Sequence, residues 1–223
     1  MDAVEARLRA SYPTYEWIPV THGMSGARTY ELCGRDVLYV KLGDGMLAEA
    51  QRVEWLGTTG VPGPKLCDAG GTDGVHWLVM TAVPGRPASD PWPADQRMRV
   101  IDAVTEQLLA LHALPVADCP FDRTLGSLVL PAELERSRPP VEDIAVCHGD
   151  YCLPNVLLDG DRFHYLDVGE AGVGDRYVDV VAAIWSLRHN YGEGSVADLL
   201  DEYGLRTPDR RKLAVYWRWW NSL

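Results

Sequence analysis

The chain has 223 residues with 32 acidic side chains against 21 lysines and arginines, a formal net charge of −11 at pH 7. That length is enough for one large domain or two small lobes, and the acidic balance argues against a nucleic-acid partner, because a phosphate backbone needs a basic footprint. It suits a cationic substrate, and equally a surface that merely keeps the protein in solution.

From the amino terminus, an amphipathic helix is expected from Val4 to Tyr12, with Ala3 and Leu8 on one side and Glu5, Arg7 and Arg9 on the other. The period then shortens. Trp17–Val20, Arg28–Leu32 and Val37–Lys41 read as strands separated by His22-Gly23-Met24-Ser25-Gly26 and Cys33-Gly34-Arg35-Asp36. The first connection is short and glycine-bearing, so Ser25 and Gly26 can bring backbone amides close to an anion, although a plain hairpin carries the same signature. Lys41 ends an otherwise apolar strand and precedes a helix, Met46–Thr58, that carries Glu49. A lysine on a third strand paired with a glutamate on the next helix is the arrangement that positions nucleotide phosphates in kinase-like sites. Gly57 to Pro64 breaks the pattern, and Lys65–Ala69 and Val75–Met80 complete five strands. Thr81 to Pro87 is an irregular connector. Its exposed backbone groups, at Thr81 and Val83 among others, are placed by topology to read an adenine edge.

Met98 to Leu114 carries a helical stripe of Val100, Ile101, Val104, Leu108, Leu111 and Leu114, which is core. Then comes Cys147-His148-Gly149-Asp150-Tyr151-Cys152-Leu153-Pro154-Asn155, with Asp167 twelve residues further on. An aspartate to take or orient a hydroxyl proton, an asparagine five residues on, and a second aspartate one hairpin later form a phosphoryl-transfer triad. Val156–Leu158 and Phe163–Leu166 read as the two strands of that hairpin, turning at Asp159-Gly160-Asp161 and delivering Asp167 beside Asn155. Two oxygen ligands would then share one magnesium ion. Beyond it a helix starts near Asp175, a good N-cap, and runs through Val180, Val181, Ile184 and Leu187. Asp179 reads as cap, loop brace or solvated charge with equal weight. Helices Ser195–Tyr203 and Pro208–Trp220 follow, and the aromatic Tyr216–Trp220 is expected to dock into the helical part.

Five cysteines, Cys33, Cys67, Cys119, Cys147 and Cys152, lack the C-x-x-C spacing of a zinc site and read as reduced thiols; Cys147 and Cys152 beside the loop are given packing roles. No apolar run approaches a membrane span and Met1-Asp2-Ala3-Val4-Glu5 is no basic-then-apolar leader, so a cytoplasmic protein with no membrane association is expected.

The order Ser25-Gly26, Lys41, Glu49, Trp55-Leu56-x-x-x-Gly60-Val61-Pro62, Val83-Pro84-Gly85, Leu111-His112, Cys119-Pro120-Phe121-Asp122, His148-Gly149-Asp150 through Asn155, Asp167 and Asp175-Arg176-Tyr177 resembles the aminoglycoside phosphotransferases, especially the 3′-hydroxyl group. The resemblance spans nearly the whole chain. It implies an α+β, two-lobed protein-kinase-like fold. Residues 1–82 would form a small five-stranded antiparallel N-lobe that binds nucleotide, and residues 83–223 a mainly helical C-lobe with the catalytic loop and acceptor site. It implies ATP and magnesium, a small cationic aminoglycoside acceptor, and antibiotic resistance, with no obligate protein partner. Asp150 would be the catalytic carboxylate, Asn155 and Asp167 the metal ligands, Lys41 the phosphate ligand braced by Glu49, and Ser25 and Gly26 the phosphate-covering loop. Three departures fall in the acceptor half. The segment Arg123–Val141 is shorter than the family's, Glu170 stands where the family usually has arginine, and the chain closes on Trp219-Trp220-Asn221-Ser222-Leu223 in place of an acidic pair and an aromatic. A kinase of another small amine or hydroxyl compound, and a nucleotide-binding remnant without catalysis, are the competing readings.

Overall fold

The computed structural model describes residues 3–21, 26–72, 74–124, 132–140 and 142–222. The chain divides into two units, residues 1–83 and 84–223, so that Val83 goes with the first.

The first unit runs α1 (Ala3–Ser11), β1 (Glu16–Val20), β2 (Arg28–Cys33), β3 (Val37–Gly43), α2 (Met46–Thr58), β4 (Leu66–Thr72) and β5 (Val75–Thr81). The strands pair antiparallel in the order β1-β2-β3-β5-β4. Alternation along β3 decides what each face meets. Leu38, Val40 and Leu42 pack with Leu32, Val79 and the α1 residues Val4 and Leu8. Tyr39 joins the opposite cluster, built on Met46 and Ala50 of α2 with Leu78 and Met80. Lys41 shares the Tyr39 side of the pleat, and this turns an ammonium group toward α2.

The second unit contains β6 (Arg86–Pro87), α3 (Arg97–His112), α4 (Ala132–Glu135), β7 (Ile144–Cys147), β8 (Val156–Asp159), β9 (Arg162–Tyr165), β10 (Gly172–Asp175), α5 (Tyr177–Tyr191), α6 (Gly194–Glu202) and α7 (Arg210–Trp220). The expected hairpin is β8–β9, with Val156 opposite Tyr165 and β6 on its other edge. The pair β7–β10 was not foreseen. Gly172-Val173-Gly174 lacks the bulky side chains that mark a strand, and its pairing depends on the catalytic-loop strand beside it. α5 is buried on most sides, through Val178, Val180, Val181, Ala182, Ala183, Ile184 and Leu187, which makes it the central helix. The closing aromatics do dock: Tyr216 and Trp219 are buried, and Tyr216 stacks on Tyr177 with ring centres 6.5 Å apart.

Asp175 differs from its expected role as helix cap. It ends β10, and Arg176 occupies the cap position of α5. One Asp175 oxygen still accepts the Tyr177 N–H at 3.1 Å, while the other accepts from Lys212 Nζ at 2.7 Å. Lys212, only 2% exposed, also donates to Asp143 at 2.7 Å. Burial pushes the Asp175 carboxyl up, even against the pull of Lys212, so this aspartate depends on its cation. Lys212→Met would strand a fully buried carboxylate and is expected to destabilise the protein by about 3–5 kcal/mol in chemical denaturation. A loss below about 1 kcal/mol, the worth of an exposed pair, would show that the cluster is dispensable.

Candidate active site

Within the first unit, Lys41 Nζ donates to Glu49 Oε1 at 2.7 Å. Both side chains are buried, so the pair is desolvated and held in one geometry. Gly26 lies before β2 in open space, where a β-carbon would meet nothing within 4 Å. Ser25 lies outside the described residues. At the end of the sheet, the Thr81 N–H donates to Lys65 O at 2.9 Å and the Thr81 hydroxyl accepts from Lys65 N–H at 2.9 Å. The Ala82 N–H donates to Val37 O at 3.0 Å. Of the connector's backbone groups, two donors are thus already engaged. The sheet consumes those of Thr81 and Ala82, and Val83 has the next N–H along the chain.

Within the second unit, β7 delivers His148-Gly149-Asp150 and a single 3₁₀ turn, Leu153–Asn155, closes the loop. The Asn155 side-chain amide donates to the Asp150 carbonyl at 3.0 Å and to Asp150 Oδ2 at 3.1 Å. Both partners are acceptors, so the NH₂ end must face Asp150, and among the described residues the Asn155 side-chain oxygen is left for another partner. The Leu166 N–H donates to the Asn155 carbonyl at 2.9 Å, extending the β8–β9 ladder by one step and setting Asp167 next to Asn155. Asp167 has φ 54° and ψ 54°, and among the described residues it alone is a non-glycine with positive φ. A left-handed aspartate is tolerated but costs energy, and such strain is characteristic of functional sites.

Two histidines and a buried aspartate hold this loop. Asp179, fully buried in α5, accepts the His148 N–H at 2.7 Å, the Gly149 N–H at 2.8 Å and His112 Nε2 at 3.1 Å. The Tyr203 hydroxyl lies 2.5 Å from His112 Nδ1. Burial pushes the Asp179 carboxyl up, but the hydrogen bond and charge of His112, with His148 adding to them, bring it below the ordinary carboxylate value. Of the three readings of Asp179, the brace is the one the structure takes. His148 Nδ1 accepts the Asp150 N–H at 3.3 Å, so the ring proton sits on Nε2 and is donated to Leu166 O at 2.8 Å. One imidazole thus ties the loop before Asp150 to the residue before Asp167. The brace roles of His112, Tyr203 and His148 went unread in the sequence. The signals for His112 were its place in the motif order of the resemblance and its position at the end of an apolar helical stripe, where a lone polar residue invites the question of its partner.

Cys147 and Cys152 are consistent with packing roles. Burial pushes both thiols up, and nearby carboxylates add to it, Asp179 and Asp175 at Cys147 and Asp150 at Cys152. Cys147, His112 and Asp179 offer atoms within 4.8 Å of one another, but the Asp179 oxygens already accept three donors and the buried thiol has no tendency to ionise, so the group is a poor metal site. Asn155 and Asp167 fit a hard cation better. They offer one free amide oxygen and one carboxylate, and hard oxygen donors are what magnesium takes.

The model of the phosphotransferase enzyme family matches residues 41–129 and 127–216. The chain belongs to that family. It is 37% identical to an aminoglycoside 3′-phosphotransferase of Streptomyces fradiae, over 95% of this chain and 97% of the relative. It is 33% identical to the streptomycin 3″-kinase of Streptomyces griseus, over 90% of each. The solved structure of aminoglycoside-3′-phosphotransferase of type VIII superposes with a TM-score of 0.85 at 40% identity, covering 96% of both chains. The fold is accordingly the α+β, kinase-like one. The alignment with the S. fradiae enzyme runs over 259 positions against 223 residues here, so that relative carries stretches this chain lacks. The family match breaks at 127–129, inside the segment that the sequence marks as short. Residues 125–131 and 141 of that segment lie outside the described ones. No described helix is long and apolar enough to cross a membrane.

Proposed function

We propose that the protein transfers the γ-phosphoryl group of ATP to a hydroxyl of an aminoglycoside, and so confers resistance to it. The single observation that carries this is the construction of the loop: Asp150 locked to Asn155, Asp167 set beside Asn155 in a strained conformation, and both ends tied to Asp179 and His148. Asp150 accepts a hydrogen bond from the acceptor hydroxyl, orients it for in-line attack and takes its proton late in transfer. Asn155 and Asp167 hold magnesium, which when bound neutralises the charge on the phosphates. Lys41, kept in place by Glu49, binds phosphate oxygens. Ser25 and Gly26 cover the phosphates with backbone amides, and the strand end at Thr81 and Val83 reads the adenine edge. A net charge of −11 favours a polycationic acceptor, and a cytoplasmic location accords with ATP as donor.

The test is ADP release by purified protein with ATP and magnesium, with and without kanamycin, neomycin and streptomycin. Acceptor-dependent release that vanishes on chelation of the metal is the expected outcome, and the acceptor that elicits it identifies the substrate. Nucleotide binding without release on any of the three would replace this reading with a different acceptor or a non-catalytic nucleotide-binding protein.

A further inference from the structure

Arg123 has no place in the mechanism above, yet its position is built with care. Its backbone N–H donates to Val173 O at 2.7 Å, and the Val173 N–H donates to Phe121 O at 2.7 Å, with Asp122 bridged in parallel to Val173. From its place beside β10 the side chain, 12% exposed, reaches three groups. Nη1 donates to the Glu170 carboxylate, Nη2 donates to the Gly149 carbonyl at 3.1 Å, and the guanidinium carbon lies 5.5 Å from the centre of the Trp219 ring.

The surroundings are cut to fit. A β-carbon on Gly149, whose φ is +85°, would lie 2.9 Å from Arg123 Nε and 2.3 Å from the Glu170 carbonyl oxygen, so only glycine allows the approach. The Gly149 residue is then gripped at both ends, its N–H by Asp179 and its carbonyl by Arg123. The next residue is Asp150. Arg123 Nε is buried with no acceptor among the described residues. An aliphatic side chain would avoid that cost, so the fork serves the loop more than it serves stability.

We propose that Arg123 is a positioning residue for phosphoryl transfer. Glu170 and Trp219 hold its guanidinium, which fixes the Gly149 carbonyl and thereby the orientation of Asp150. Glu170 is the anchor of this cation. A guanidinium pinned by a carboxylate and lying over an indole loses little freedom on forming its last hydrogen bond.

This inference rests on the proposed function, and the experiment separates the two. In the full-length protein, Arg123→Ala is expected to lower kcat by about 10- to 100-fold, the scale of a small misplacement of a reacting group. KM for ATP should stay within about twofold, since uniform binding is untouched. Added guanidinium ion should restore part of kcat by refilling the vacated site, and Arg123→Lys should retain more activity than alanine. Hydrogen exchange of the 148–152 backbone should speed up at unchanged midpoint of thermal unfolding. A kcat within about threefold of wild type, or a loss that follows thermal stability and is insensitive to guanidinium, would overturn the proposal. If wild type shows no acceptor-dependent release, the functional reading fails. The exchange experiment still decides whether Arg123 holds the loop, and unchanged exchange there overturns the proposal.

Discussion

Replacing Asp150 by alanine is expected to lower kcat by about 10²–10⁴-fold, the usual contribution of a positioned acid or base, while equilibrium binding of ATP stays close to wild type. The split follows from the loop. Asp150 meets Asn155 through its backbone carbonyl as well as through Oδ2, so truncating the side chain leaves one of the two bonds that orient the metal-ligand candidate. The nucleotide side of the site therefore keeps its geometry when the carboxylate goes. Parallel measurement of ADP release and of nucleotide binding decides the point. Turnover near wild type in the variant would remove Asp150 from the mechanism, and loss of nucleotide binding along with turnover would show that it serves the metal and not the acceptor.

Asp179→Asn is the second large effect, and it acts without touching a reactant. The carboxylate accepts three donors, two of them backbone N–H groups of the loop. An amide of the same shape offers one acceptor end and turns an NH₂ toward a donor, leaving buried N–H groups unsatisfied. The expected cost is about 3–5 kcal/mol of stability, with kcat down about 10²-fold as the loop shifts. The pH dependence supplies a second readout. The folded carboxyl lies below its ordinary value, so its contribution to stability is complete above about pH 4, the unfolded value, and is lost as pH falls through the lower folded value. The gap between wild type and variant should therefore be widest at neutral pH and close in acid, as followed by denaturant titrations across that range. A gap independent of pH would mean that Asp179 acts through packing and not through its charge.

The Asp179 brace has no decisive local signature in the chain, whereas the groups it protects do. The spacing of His148-Gly149-Asp150 to Asn155, the hairpin from Val156 to Tyr165 and the pair of Lys41 with Glu49 were legible because each is closed by short-range geometry. A tight loop, a two-stranded turn and the strict alternation of a strand facing the next helix all place side chains within a few residues of where the sequence puts them. The elements that went unread fail the same test. β10 has glycines where a strand normally shows bulk, and it exists because β7 and the segment around Asp122 pair with it. Asp175 looked like a helix cap because the sequence around it carries no trace of Lys212, 37 residues away.

Composition and motif order were thus sufficient for the α+β architecture, and for the loop, the hairpin and the lysine–glutamate pair on which the proposed chemistry rests. What holds those groups in working geometry came only from packing. Asp179 meets His148 across 31 residues and His112 across 67, and Arg123 meets Gly149 across 26. Hydrogen bonds of that span are made when helices and strands bury their apolar faces, and a carboxylate or guanidinium taken into that interior must find whichever donor or acceptor the tertiary fold has brought there.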